Sequence, residues 1–221
     1  MNIEQARFNM IEQQIRPWDV LNLGVLELLA VVKREDFVPP ELRALAFVDT
    51  EVPLPGGQCM LAPKVEARIL QELAVGKHER VLEIGAGSGF MAALLAHKAQ
   101  QVTSLEIDPD LARFATANLK RAGVMNANVV NADGSGGLSA GWGGEGPFDV
   151  IVLSGSVAEV PDALLSQLKV GGRLAAIVGA EPVMRAILIS RTDNAGLERT
   201  VLFDTVAQRL RGFAEPTKFH F

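Results

Sequence analysis

The apolar positions of this chain fall into two regimes. Over residues 1–75 they recur at helical spacing: Val25, Leu26, Leu28, Leu29 and Val32 make one stripe, and Val65, Ile69, Leu70 and Leu73 make another. Pro63 opens the second stripe and suits the first turn of a helix, and Pro39-Pro40 ends the segment after the first. Between the stripes, Pro53-Leu54-Pro55-Gly56-Gly57-Gln58 is too rich in proline and glycine for regular structure and is expected to be a loop.

From residue 80 the apolar runs become short and nearly continuous. Strands are expected at Arg80–Ile84, Val102–Ile107, Val129–Asn131, Phe148–Leu153, Leu174–Val178, Ala186–Ser190 and Thr200–Phe203. Helices are expected at 88–97, from Asp108 as N-cap with Pro109 in the first turn to Gly123, and at Ala163–Leu168, with Gly171-Gly172 turning into the next strand. Strands that alternate with helices and are apolar on both faces form a parallel sheet covered on both sides. The last two strands follow one another without a helix, which predicts an antiparallel hairpin at one edge. The expected fold is thus α/β: a single domain over 1–221, with an N-terminal helical extension (1–75) and a Rossmann-like core (76–221). The core is a mostly parallel, seven-stranded, doubly wound sheet.

Composition narrows the class. With 48% hydrophobic and 21% charged residues among 221, the chain is globular and large enough to fold without cross-links. Cys59 is the only cysteine, so no intrachain disulfide forms, as expected of a reducing compartment. The longest apolar stretch, Val25–Val32, is broken by Glu27 and falls far short of the ~20 residues of a membrane span. The first residues do not read as a secretory signal, so a cytoplasmic protein without a membrane partner is expected. A formal charge of −5 without a basic cluster calls for no nucleic-acid partner. His78, His97 and His220 are scattered, so no metal is expected.

The chemistry concentrates in Val81-Leu82-Glu83-Ile84-Gly85-Ala86-Gly87-Ser88-Gly89-Phe90. Glycines at 85, 87 and 89 between a strand and a helix let the backbone turn sharply and approach a ligand. A dinucleotide fingerprint needs Gly or Ala where Phe90 stands, so a pyrophosphate is disfavoured and an adenosine carrying an amino-acid tail is favoured. Glu106, followed by Ile107, lies about 20 residues beyond Gly85, where a carboxylate accepts from ribose hydroxyls. That placement serves nicotinamide cofactors equally. Asp133-Gly134 follows the third strand, where Asp133 is placed to read an adenine amino group, and Glu83 is placed to receive an ammonium. Gly85, Ala86, Gly87 and Gly89, with Glu83, Glu106, Ile107, Asp133 and Gly134, are the candidate cofactor residues. The cofactor they suit is S-adenosylmethionine, and the topology is that of class I methyltransferases.

With these residues in hand, the chain resembles the protein-L-isoaspartate O-methyltransferase family. The likeness is carried by Met10-Ile11-Glu12-Gln13-Gln14-Ile15-Arg16, Val32-Lys33-Arg34-Glu35-Asp36-Phe37-Val38-Pro39, Trp142, Pro147-Phe148-Asp149-Val150-Ile151 and Leu168-Lys169-Val170-Gly171-Gly172-Arg173-Leu174. The resemblance implies transfer of a methyl group to the α-carboxylate of an L-isoaspartyl residue in a damaged protein. The ester then closes to a succinimide that can reopen as aspartate, and the partner is a protein or peptide. The resemblance also implies a substrate loop at Gln58, Cys59, Met60 and Leu61. There the family reads Gly-Gln-Thr-Ile-Ser-x-Pro, and this chain reads Gly57-Gln58-Cys59-Met60-Leu61-Ala62-Pro63. Leu61 therefore occupies the place of the serine that carries a catalytic role, and Cys59 that of the threonine.

A leucine cannot donate a hydrogen bond, and loss of a charge-assisted one costs on the order of 2–3 kcal/mol, about 100-fold in rate. The departure leaves open a changed acceptor or a catalytically impaired binding protein. Cys59 has no evident base or cationic neighbour in sequence and is expected to be an inert loop filler. Glu66 is expected either to face solvent or to point into the site. The glycine-rich stretch Gly134–Gly146 holds seven glycines and Trp142 and is expected to be a surface loop or a lid.

Overall fold

The computed structural model describes residues 2–137, 146–192 and 196–215. Side-chain caps start the N-terminal helices. Asn2 accepts from the Gln5 amide at the head of α1 (Ile3–Met10), and Asn22 accepts from Val25 at the head of α2 (Leu23–Val31). α1 continues through a wide π turn at Ile11–Ile15 and a 3₁₀ turn at Arg16–Trp18, which stops where Asp19 turns left-handed. Two more 3₁₀ segments, Arg34–Asp36 and Pro40–Phe47, follow α2. α3 (Pro63–Leu73) starts at Pro63 and buries Val65, Ile69, Leu70 and Leu73, the stripe its spacing predicts.

The Pro53–Gln58 segment is more regular than its composition suggests. β1 (Val52–Leu54) and β2 (Gln58–Met60) pair antiparallel around a turn at Pro55–Gly57, with Val52 opposite Met60. In a two-stranded ribbon both strands are edges, so a proline can be seated where no ladder donor is needed.

The main sheet holds β3 (Arg80–Ile84), β4 (Gln101–Glu106), β5 (Ala127–Asn131), β6 (Phe148–Val157), β7 (Leu168–Ala180), β8 (Val183–Arg191) and β9 (Leu197–Thr205). Its order is β5-β4-β3-β6-β7-β8-β9, parallel from β5 to β7 and antiparallel at β8 and β9. The connecting helices are α4 (Phe90–Lys98), α5 (Pro109–Arg121) and the single turn α6 (Asp162–Leu165). α5 starts as its sequence predicts: Asp108 Oδ1 accepts from the Asp110 and Leu111 amides, and Pro109 fills the first position. α6 stops before Leu168, which already belongs to β7. Gly171 and Gly172 lie inside β7 and do not precede it. Phe148 faces Leu168 while Val150 faces Arg173, so the extra β7 residues bulge there.

Alternate residues of the strands feed two apolar layers. Val81, Val150 and Ala175 meet Met10, Leu29, Ile69 and Leu94 on one face, so the N-terminal helices share the sheet's core. Leu82, Ile151 and Leu174 meet Leu164 and Phe213 on the other. Strand order reverses between β3 and β6, and in such sheets ligands bind beyond the carboxyl ends of the strands at that point. No helix among the described residues is long and apolar enough to cross a membrane.

Candidate active site

At that reversal lies a cleft bounded by the glycine turn after β3 and the ends of β4 and β5. Gly85 and Gly87, at φ of 90° and 53°, form its floor, and these left-handed values favour glycine. The turn is held by its neighbours: the Gly85 and Ala86 amides both donate to the Leu105 carbonyl, at 2.8 and 3.1 Å. Glu106 and Ile107 line the side at the end of β4, and Ala132 and Gly134 close the end after β5. A β-carbon at Gly134 would stand 2.6 Å from Ile84 Cγ2, so that position has no room for a side chain.

Glu106 is buried and doubly anchored. Its Oε2 accepts from the Gly87 amide at 2.8 Å and its Oε1 from the Asp108 amide at 3.1 Å. Two backbone donors fix the carboxylate at the cleft wall, and each oxygen keeps a further lone pair for a ligand hydroxyl. Gly89 does not line the cleft. It packs on α5, where a β-carbon would meet the Ala115 carbonyl oxygen at 3.1 Å, so it lets α4 approach α5. Asp133 sits beside the cleft, with its carboxylate accepting from the Ser135 amide at 2.8 Å.

Behind the turn is a smaller chamber, where the turn meets the loop Cys59-Met60-Leu61. Glu83 forms part of its wall and is fully buried, taking Ser104 Oγ on one carboxylate oxygen at 2.6 Å and Ser154 Oγ on the other at 2.7 Å. Burial pushes its carboxyl up to about 8, against the pull of the two hydroxyls, and nearby Glu66 and Glu106 add to the rise. Glu66 also faces this chamber and not solvent. It is buried, forms an ion pair with Arg34, and is raised to about 7 because burial outweighs the arginine. Arg34 uses its other terminal nitrogen to hold the Leu61 carbonyl at 2.7 Å, and it lies over the Phe90 ring, 5.1 Å from the centroid.

Gln58 and Cys59 reach the main cleft as well, so the loop and the glycine turn share one site. Cys59 is more than a filler. Its thiol donates to Glu51 Oε2 at 3.2 Å, and burial with the negative charge of Glu51 pushes it up to about 12, which makes it unreactive. The Leu61 side chain is buried at the chamber wall.

Sequence reasoning missed Ser104, Ser154 and Arg34 as site residues, together with Leu210 and Arg211, which also line the main cleft. Ser154 becomes visible only with the strand order, because β6 joins β3 across the reversal. Trp142 and most of the glycine-rich stretch fall outside the described residues. No group of three or more His, Cys, Asp or Glu that could hold a metal ion occurs among the described residues.

Residues 6–207 match the protein-L-isoaspartate(D-aspartate) O-methyltransferase family model. The chain belongs to this family. Among similar proteins of the family, the protein-L-isoaspartate O-methyltransferase of Koribacter versatilis is 36% identical over 198 residues, 90% of this chain and 87% of that one. The Methanoculleus marisnigri protein of the same description is 42% identical over 175 residues, 79% and 78% of the two chains. Among solved structures, a Plasmodium falciparum protein described as a protein-L-isoaspartate O-methyltransferase, in complex with S-adenosyl-L-homocysteine, superposes with a TM-score of 0.79. It is 21% identical and the alignment covers 96% of this chain and 99% of that one, so it bears on the fold: the Rossmann-like methyltransferase architecture with its antiparallel edge.

Proposed function

We propose that the protein is an S-adenosylmethionine-dependent carboxyl methyltransferase acting on L-isoaspartyl residues of proteins or peptides. The observation that supports it is the shared chamber: loop residues Cys59, Met60 and Leu61 stand against Gly85, Ala86 and Gly87 of a family member. When bound, the cofactor supplies a methyl group on a sulfonium sulfur, and transfer to a carboxylate oxygen forms the C–O bond as the C–S bond breaks.

The residues present suit that group. Glu106 keeps a further lone pair on each oxygen for the ribose hydroxyls, and Glu83 with Ser154 offers an acceptor cluster for an ammonium. Ile107 and Gly134 flank the space for the base, with Asp133 next to it. The acceptor needs no strong general base, because a carboxylate with an ordinary pKa is already ionised at neutral pH. What this chain contributes is position and dryness: Arg34 fixes the loop through the Leu61 carbonyl, and Leu61, Met60 and Phe90 exclude water from the chamber. Cys59, half-buried and the only cysteine, leaves no intrachain disulfide to form, in line with a cytoplasmic enzyme.

The test is transfer of labelled methyl to an isoaspartyl peptide and to its aspartyl isomer. Base-labile label on the isoaspartyl form alone is the expected result, and label on neither, or on both equally, contradicts it. One observation favours a second reading, a changed acceptor. The chamber wall carries the Leu61 side chain and the Glu66 carboxylate, neither of which would attract a carboxylate. Base-stable methyl on an amine or hydroxyl acceptor would select that reading.

A further inference from the structure

The family match ends at residue 207, and the chain beyond it returns across the cleft. It runs beside the end of β6: the Ser156 amide donates to the Gln208 carbonyl at 2.8 Å, and the Leu210 amide donates to the Ser156 carbonyl at 2.9 Å. This seats the Leu210 side chain directly over the glycine turn. A β-carbon at Gly85 would lie 2.6 Å from Leu210 Cδ2, and one at Gly155 would lie 2.8 Å away, so both glycines make room for it.

Arg211 then reaches two separate walls. It donates to the Gly56 carbonyl in the β1–β2 turn, and its Nη1 donates to Asp108 Oδ2 at 3.3 Å, on the oxygen that the α5 cap leaves free. With the Gln58 amide turned so that its oxygen faces Arg211, that oxygen accepts from Nε and Nη2 at 3.0 Å each. Gln208 adds a bond to the Gly57 carbonyl at 2.5 Å. The β1–β2 turn and the head of α5 are thereby joined to the strap formed by residues 208–211 through one guanidinium, whose planar fork can hold several acceptors at once.

We propose that Leu210 and Arg211 are cofactor-site residues of this chain. Leu210 roofs the cofactor beside Gly85, and Arg211 is a positioning residue that latches the loop Gly56–Gln58 onto Asp108. A bound nucleoside cofactor leaves only after Arg211 lets go of Gly56 and Asp108, so the latch sets the rate of release. The inference rests on the cofactor assignment above but not on the identity of the methyl acceptor.

The test is the rate at which labelled S-adenosylhomocysteine leaves the intact protein, measured for wild type, Leu210→Ala, Arg211→Ala and Arg211→Lys, beside the melting temperature of each without ligand. Release at least about tenfold faster in Leu210→Ala and Arg211→Ala is expected, with Arg211→Lys between them and wild type. Unliganded melting temperatures should stay near that of wild type. If Arg211→Ala does not fold, Leu210→Ala and Arg211→Lys carry the test. Release within twofold of wild type in the folded variants overturns the latch and leaves the cofactor assignment standing. Failure of wild type to bind the ligand at all overturns the cofactor assignment, and the latch falls with it.

Discussion

Gly87 donates its amide to Glu106 at 2.8 Å, which ties the turn after β3 to the end of β4 and aims a buried carboxylate into the cleft. In the proposed site the same carboxylate serves twice, holding the backbone and accepting from the ligand. Glu106→Ala removes both and should weaken S-adenosylhomocysteine binding by about 2–3 kcal/mol, roughly 30- to 150-fold. Glu106→Gln, which still accepts from one amide, should lose less. Titration calorimetry on the two variants checks the order.

Glu83 should report its own ionisation. Burial raises its carboxyl to about 8, so the folded protein holds a proton that the unfolded chain gives up near 4.5. Its contribution to stability is therefore complete below about 4.5 and is lost as the pH rises through about 8. Glu83→Gln should flatten the fall in melting temperature between those limits. An ammonium placed beside Glu83 would favour its charged form, so cofactor binding at pH 7 should release a proton. Calorimetric heats in buffers of different ionisation enthalpy should differ for wild type and coincide for Glu83→Gln.

The sequence made the sheet and the glycine turn legible because both are local. Short apolar runs ending in glycine marked β3 and its turn, and Asp108-Pro109 marked the head of α5, since caps act within a few residues. The β1–β2 hairpin was not legible, because its pairing overrides what its prolines and glycines favour on their own. Glu66 could not be assigned to chamber or solvent, because its orientation depends on Arg34, far away in sequence and delivered by the packing of a 3₁₀ turn on α3. Leu210 and Arg211 carry no motif at all. Their place follows from a strap whose bonds to Ser156, Gly56 and Asp108 span most of the chain.

Leu61→Ser introduces the hydroxyl that the sequence resemblance implies at this position. On an isoaspartyl peptide its turnover should rise by about 10- to 100-fold if a missing donor limits the reaction. Stability should fall by a few kcal/mol, because the leucine is buried. Steady-state rates together with melting curves separate the two effects. An unchanged rate in a folded variant would show that the hydroxyl is not what the site lacks.

Cys59 should resist alkylation. With its thiol pushed up to about 12, almost none of it is thiolate at pH 8, and its reaction with iodoacetamide should be on the order of a thousandfold slower than that of free cysteine. Glu51→Gln removes a neighbouring negative charge and should speed the reaction. Mass spectrometry of the labelled protein gives both rates.

The most direct test of the account is a calorimetric titration of the intact protein with S-adenosylhomocysteine. One site per chain, with heat abolished or strongly reduced by Glu106→Ala, is the predicted result. Absence of heat at two temperatures, with no rise in melting temperature at millimolar ligand, would contradict the claim that the cleft above Gly85 and Gly87 holds an adenosyl amino acid.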